Sequence, residues 1–525
     1  MRHHQLLFFL ILALATYANE ASRILCIFPY NGRSHYRMFG TLCKALARKG
    51  HQVDVISFFP SKKPIANYTN IIDLSMHQEN KVAALNIEYA QNLQAWITYY
   101  AATKFGGELC HLMNLEVMQK FIKNPPNDPP YDLVIVEYFG SPCYIGFGEL
   151  LKVPVVLAVS FLEMPYVDYF MANPWSDSFF PAFTVNKAVV ETFVDRLYNF
   201  VANCVALISF QYYTSDQTEM MRKYLGLPNI GDIREVERSK TALALVNSHF
   251  SFYGARPVTP AIVEVGGLHI YGEEFLPDLT LELQRWMDSA HHGLVYFSLG
   301  SLMTVESLPT ETMLNIYAAL SKISPIKVLM RCKNVTKLAP GLPSNIMTLS
   351  WIPQTRILMH KNTRVFITHG GLMGTQEAVY YGVPMIGIPI FTDQEKNINI
   401  LVHKKVAILL PLDNINEHTL SAALDKVLHD PSYRESAKKA SQIFRDRPMN
   451  PLDEAVYWIE YVLRNGPDSL KSRGVNLSWF QFYQIDVYVF LIACSILAIY
   501  LSVVLLKLVV NNFRRSQVCM EKKLQ

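Results

Sequence analysis

The chain has 525 residues, half of them hydrophobic, with 48 Lys and Arg against 44 Asp and Glu for a formal charge of +4. That length exceeds what one core organises and the composition is that of a packed globular protein, so disorder is excluded and two similar lobes plus appendages are expected. The charge excess is small and no basic run carries interleaved aromatics, which sets nucleic acid aside as a partner.

At the N-terminus Arg2 precedes the apolar run Leu6 to Ala15, with small residues at Thr16 and Ala18, the pattern of a secretory signal peptide over 1–18. Ile24 to Phe28 then reads as a strand and Asn31 to His35 as a turn. Met38 to Arg48 reads as a helix ended by Gly50, and Val53 to Phe58 as a second strand, completing a βαβ unit. Leu133 to Val136, after the Pro-rich stretch Asn124 to Pro130, and Val155 to Val159 add strands, so an N-terminal α/β lobe is predicted over 19–255. Pro and Gly cluster from Tyr253 to Gly267. Beyond them Leu294 to Leu299, Val328 to Arg331, Met347 to Ser350, Val365 to Thr368 and Met385 to Ile388 alternate with helical segments, which predicts a second doubly wound parallel sheet over 256–445. Two such Rossmann-like lobes imply a cleft between them. In the connecting segment 446–486, Pro451 to Arg464 reads as a helix whose Tyr457, Trp458 and Tyr461 pack back onto the protein.

Val487 to Val510 is almost wholly apolar and long enough as a helix to cross a hydrocarbon core. Lys507 can snorkel, and Trp479, Tyr483 and Tyr488 suit a lumenal interface. Arg514 and Arg515 place the tail 511–525 in the cytosol by the positive-inside rule. The expected protein is single-pass type I with both lobes lumenal, and the final Lys522-Lys523-Leu524-Gln525 resembles a dilysine signal for retrieval to the endoplasmic reticulum. Of eight cysteines, Cys494 falls in the span and Cys519 in the tail. Cys26, Cys43, Cys110, Cys143, Cys204 and Cys332 show no metal-ligand spacing and no dense disulfide framework, and are read mostly as core thiols. Sequons at Asn67, Asn334 and Asn476 fit a lumenal glycoprotein.

The most informative stretch is Val365-Phe-Ile-Thr-His-Gly-Gly371, a strand running through a glycine turn into a helix from Leu372 to Tyr381. Free backbone N–H groups and the helix dipole at such a start favour a diphosphate. His369 and Thr375 can add hydrogen bonds, and Glu377 can accept from two ribose hydroxyls. Trp351-Ile-Pro-Gln354 ends one strand and Asp393-Gln394 follows Pro389, where another runs out. An indole can stack on a planar base, Gln354 can bond its ribose, and a carboxylate beside an amide can fix sugar hydroxyls. Taken singly these are a turn, a core tryptophan and an acidic loop. Their joint spacing on one sheet edge argues for a nucleotide-sugar.

These motifs resemble the UDP-glycosyltransferase family, and specifically its insect-type membrane members. The resemblance runs through Trp351-Ile-Pro-Gln-Thr-Arg-Ile-Leu358, Phe366-Ile-Thr-His-Gly-Gly371, Glu377, Gly382-Val-Pro384, Pro389 and Asp393-Gln394. It continues in Phe297-Ser-Leu-Gly-Ser301, Arg256-Pro-Val-Thr-Pro260 and Leu452-Asp-Glu-Ala-Val-Tyr-Trp458, covering nearly the whole chain. It implies a GT-B fold whose C-terminal lobe binds a UDP-sugar and whose N-terminal lobe binds a small lipophilic acceptor. Carried over by position, Trp351 faces uracil, and Gln354 with Glu377 holds ribose. Ser301, His369, Gly371 and the backbone near Gly374 and Thr375 hold the diphosphate, and Asp393 and Gln394 contact the sugar. His35 becomes the general base and Glu137, where the family more often has aspartate, its orienting carboxylate. Met330 is a second departure, standing where the family more often has an aromatic residue.

The implied reaction is inverting displacement, with no metal ion expected, because no Asp-x-Asp pair is present. The insect-type resemblance points to glucose as the donor sugar, whereas vertebrate relatives of the family commonly use glucuronate. A homo-oligomer is left open. The competing readings are a lipophile-binding membrane protein whose transfer chemistry has decayed, against which the intact His35, His369 and Asp393 argue, and a glycoside hydrolase, against which the separate duties of Glu137 and Asp393 argue.

Overall fold

A computed structural model describes residues 21–77, 97–162, 164–272, 278–301 and 303–524. The expected signal peptide lies outside these residues, and so do the side chains of Cys519 and of the terminal lysines. Two compact units result, Met1–Lys471 and Ser472–Gln525.

The first unit holds two sheets. The strands of the first are β1 (Arg23–Phe28), β2 (Gln52–Ser57), β3 (Tyr68–Asp73), β4 (Leu133–Glu137), β5 (Val155–Val159), β6 (Thr241–Val246) and β7 (Ile262–Glu264), in the spatial order β3-β2-β1-β4-β5-β6-β7. The second is built from β8 (Leu294–Ser298), β9 (Lys327–Arg331), β10 (Ile346–Leu349), β11 (Thr363–Thr368), β12 (Met385–Gly387) and β13 (Ala407–Leu409), in the order β10-β9-β8-β11-β12-β13. Every ladder in both sheets is parallel. Parallel strands with helices on both faces must be apolar throughout, and β4, β5, β6 and β8 are buried at every position. Removing one of these side chains, as in Leu157→Ala, would cost about 2–5 kcal/mol.

Four strands escape the sequence reading. β3 is half polar, β6 follows a helix without a turn signal, and β7 and β13 have three residues each. Because β7 pairs with β6, the first sheet runs past the boundary expected at residue 255.

Seven helices matter for the site and its surroundings. They are α1 (Arg33–Arg48), α2 (Phe193–Tyr213), α3 (Gln354–Met359), α4 (Leu372–Tyr381), α5 (Gln394–His403), α6 (Pro451–Asn465) and α7 (Ile485–Leu524). Helix α1 forms because Met38, Phe39, Leu42, Cys43, Leu46 and Ala47 fall three or four apart and bury one face. It starts at Arg33, so the segment expected as a turn through His35 is already helical. Gly50, at φ +101°, ends the connection to β2 in a conformation that favours glycine.

Helix α6 packs on α1 and β6, with Trp458 and Tyr461 against the core, whereas Tyr457 stays exposed instead of packing inward as expected. The reading of the cysteines as core thiols holds for Cys26, Cys43 and Cys332 and fails at Cys110 and Cys143, which form a disulfide. In the second unit, the helix α7 extends past the expected 487–510 at both ends, and its most apolar part has mean hydropathy 2.8, long and apolar enough to cross a membrane.

Candidate active site

Doubly wound sheets bind ligands beyond the carboxyl ends of their strands, where the chain direction of the sheet order reverses. In the first sheet that switch point lies between β1 and β4, and in the second between β8 and β11. The loop after β1 leads into His35, and β4 ends on Glu137. The loop after β8 holds Gly300 and Ser301, and the loop after β11 holds His369 to Gly371. The candidate residues therefore sit at the two places where the topology opens a crevice.

On the first sheet, His35 Nδ1 lies 2.7 Å from Glu137 Oε1. The Glu137 side chain is 2% exposed against 20% for His35, so the carboxylate lies beneath an imidazole that reaches the cleft. Burial pushes the Glu137 carboxyl above its ordinary value, while the hydrogen bond from His35 pulls it the other way. A histidine whose Nδ1–H is held by a carboxylate presents Nε2 as its basic nitrogen. No acidic residue occupies the first turn of α1, so the helix dipole acts on His35 unopposed from its own helix.

Aromatic rings frame this histidine, with centroids 4.8 Å away at Tyr30, 5.6 Å at Phe139 and 6.1 Å at Phe161. Phe161 continues to Phe183 at 5.8 Å. Phe183 in turn lines a cleft of about 350 Å³ with Met164, Ala206 and Phe210. The segment 161–183 and helix α2 both contribute to this lining. Helix α2 does so through its inner face only, while Phe193, Leu197, Tyr198 and Ile208 stay exposed.

On the second sheet, Trp351 is 47% exposed, which removes it from the core, and its ring lies 4.2 Å from the Arg33 guanidinium. Gln354, at the start of α3, donates through Nε2 to Glu377 Oε2 at 2.6 Å and accepts from the Tyr296 hydroxyl at 3.2 Å. Glu377 is 1% exposed. Its Oε1 also meets Arg37 Nη1 at 2.7 Å, the Thr355 hydroxyl at 3.2 Å and His269 Nε2 at 3.4 Å. Burial alone would raise this carboxyl. The Arg37 charge, helped by His269 and Gln354, overrides it and holds the group down to about 2.

Helix α4 begins at Gly371 with no acidic residue and no side-chain cap in its first turn. The amides from Gly371 to Gly374 therefore have no helical partner and face the crevice. Thr375, expected beside them, stands one position too far. Its amide is bonded to the Gly371 carbonyl at 3.0 Å and its hydroxyl to the Leu372 carbonyl at 2.8 Å, and it is fully buried. His369 packs between the glycines. A Cβ on Gly300 or Gly371 would come within 2.5 or 2.6 Å of its ring. Burial, then the nearby Arg331, lowers its pKa to about 4, and its Nδ1 has no hydrogen-bond partner among the described residues.

Asp393 accepts from Asn397 at 2.7 Å and from the Thr392 hydroxyl at 2.9 Å. Burial raises its carboxyl, and these two hydrogen bonds oppose that shift. Gln394, expected beside it at the sugar, is buried as Glu377 is, and its oxygen accepts from the amides of Ile390 and Phe391 at 2.9 and 3.2 Å. Sequence reasoning missed Arg33 and Arg37, whose partners Trp351 and Glu377 lie on the other lobe, and Tyr30, Phe139 and His269, because no local pattern marks a residue that matters through a neighbour met only in the fold. Among the described residues, no three His, Cys, Asp or Glu side chains come together in a way that could hold a metal ion.

The sequence profile of the family described as UDP-glucoronosyl and UDP-glucosyl transferase matches residues 25–523. Among similar proteins, UDP-glucosyltransferase 2 of Dactylopius coccus is 35% identical over 479 residues, 90% of each chain. UDP-glucuronosyltransferase 2B19 of Macaca fascicularis is 31% identical over 491 residues, 89% of this chain and 90% of that one. Among solved structures, the glycotransferase of kitacinnamycin superposes with TM-score 0.52 at 14% identity, covering 83% of this chain and 98% of the other, a likeness of fold. The chain belongs to the UDP-glucuronosyl and UDP-glucosyl transferase family, and it is a GT-B enzyme that transfers a glycosyl group from a UDP-sugar.

Proposed function

We propose that this enzyme moves glucose from UDP-glucose to a hydroxyl of a small, largely aromatic or lipophilic acceptor, with inversion at the anomeric carbon. The observation that carries this reading is the His35–Glu137 pair, 2.7 Å apart, at the switch point of a lobe whose neighbouring rings are Tyr30, Phe139 and Phe161. Flat apolar surfaces around one basic nitrogen favour an acceptor that is itself flat and apolar, carrying one hydroxyl. The name of the Dactylopius relative favours glucose as the donor sugar.

In this reading Trp351 offers its exposed face to uracil, and Gln354 and Glu377 hold the ribose. His369, Ser301 and the amides from Gly371 to Gly374 meet the diphosphate, with Asp393 at the sugar hydroxyls. His35 Nε2 takes the proton of the acceptor hydroxyl as its oxygen attacks the anomeric carbon. The bond from that carbon to the diphosphate oxygen breaks, and UDP leaves with the electron pair. Glu137 offsets the positive charge gained by the imidazole, and the start of α4 stabilises the negative charge gained by UDP, so the reading calls on no metal ion. The membrane helix and the exposed sequon residues Asn67, Asn334 and Asn476 support a glycosylated, lumen-facing enzyme of the endoplasmic reticulum that conjugates lipophilic compounds, as in detoxification.

The test is NMR of the product formed from UDP-glucose and a phenol, with UDP-glucuronate as competing donor and EDTA present. A β-glucoside is the expected product, formed in preference to a glucuronide. An α-glucoside, or activity abolished by EDTA and restored by a divalent cation, would contradict the mechanism.

A further inference from the structure

Helix α1 brings more than His35 to the cleft. Two residues before and two after His35, and one turn from each other, Arg33 covers a face of Trp351 at 4.2 Å, and Arg37 reaches Glu377 Oε1 at 2.7 Å and also bonds the Thr355 hydroxyl. Arg37 belongs to the first lobe, whereas Glu377, Thr355 and Gln354 belong to the second. The carboxylate that faces the ribose in our reading is therefore held from two sides, by Gln354 of its own lobe through Oε2 and by Arg37 of the opposite lobe through Oε1. A guanidinium fixes a carboxylate oxygen in direction as well as in charge, and the Glu377 carboxylate, 1% exposed, is held by protein groups.

We infer that Arg37 is a positioning residue for the donor: by fixing Glu377 from across the cleft it makes recognition of the ribose hydroxyls a property of both lobes together. Resting on the donor site proposed above, this inference ties ribose reading to the helix that carries the base. Burial and the Arg37 charge act in opposite senses on Glu377, and the charge prevails, consistent with a carboxylate kept ready to accept.

The test compares binding of UDP and of 2′-deoxy-UDP to the full-length protein in detergent, for the wild type, Arg37→Leu, Arg37→Lys and Glu377→Gln. We expect the wild type to prefer UDP about tenfold or more, the scale of a charge-assisted hydrogen bond. Glu377→Gln and Arg37→Leu should bring that preference near one, and Arg37→Lys should restore most of it. The double variant should be no worse than Glu377→Gln alone. If Arg37→Leu does not fold, Arg37→Gln, which keeps a hydrogen bond and loses the charge, replaces it. A preference lost in Glu377→Gln and retained in Arg37→Leu would overturn the role of Arg37 while leaving the donor site intact. Absence of any preference in the wild type, or its persistence in Glu377→Gln, would overturn the ribose assignment and this inference with it.

Discussion

His35 and Glu137 are 102 residues apart in the chain and 2.7 Å apart in the fold. The longer side chain of Glu137 reaches His35 Nδ1 from the end of β4, so Glu137→Asp would withdraw the carboxylate by one methylene. We expect kcat to fall about tenfold in that variant, with KM for the UDP-sugar unchanged, as steady-state kinetics would show. Glu137→Gln should lose more, because the amide offers no charge to the imidazolium. The buried histidines give a second expectation. Burial lowers the pKa of His249 from the ordinary 6.5 to about 3, with Arg447 adding to it, and that of His369 to about 4. Between those values and 6.5 the unfolded chain binds protons that the fold excludes, so stability is full above 6.5 and declines as pH falls through this window. Thermal unfolding should show a midpoint several degrees lower at pH 4.5 than at pH 7.5.

At the scale of elements, what was legible in the sequence was whatever local pattern dictates. The segment from Thr363 to Gly382 reads directly as strand, glycine turn and helix, and α4 spans the residues expected of it, ending on Gly382 at φ +66°. Side chains whose roles depend on a neighbour distant in sequence were not legible. Thr375 fits a diphosphate by sequence but falls in the second turn, bonded to its own helix, and Gln394 closes the loop at Ile390. The Cys110–Cys143 disulfide was hidden for the same reason, since neither cysteine sits in a spacing that announces a pair. It clips the helical segment ending at Cys110 to the turn Pro142–Gly146, just beyond Glu137. Cys110→Ser with Cys143→Ser should therefore cost about 2–4 kcal/mol in chemical denaturation, and should reduce turnover through Glu137.

At the scale of the whole first unit, the two lobes meet along a polar seam. Lys396 of α5 is buried and donates at 2.7 Å to the carbonyls of both Pro181 and Ala182, Asn186 donates to Glu395 at 2.8 Å, and the Tyr253 hydroxyl donates to Asn397 at 2.8 Å. Asn397 also holds Asp393, so the residue proposed for the sugar is positioned partly by the first lobe. Together with Arg37 on Glu377, this seam makes the proposed donor site a product of both sheets, while the proposed base stands on one of them. In the proposed mechanism transfer depends on His35 in a way that donor binding does not. The decisive measurement is acceptor-dependent UDP release by membranes carrying the wild type or His35→Ala, given UDP-glucose and a panel of phenols and lipophilic alcohols. With His35 as the base, a role this measurement tests directly, release should fall by about 10²–10⁴ in the variant while UDP binding is retained. Release that persists unchanged in His35→Ala would contradict it.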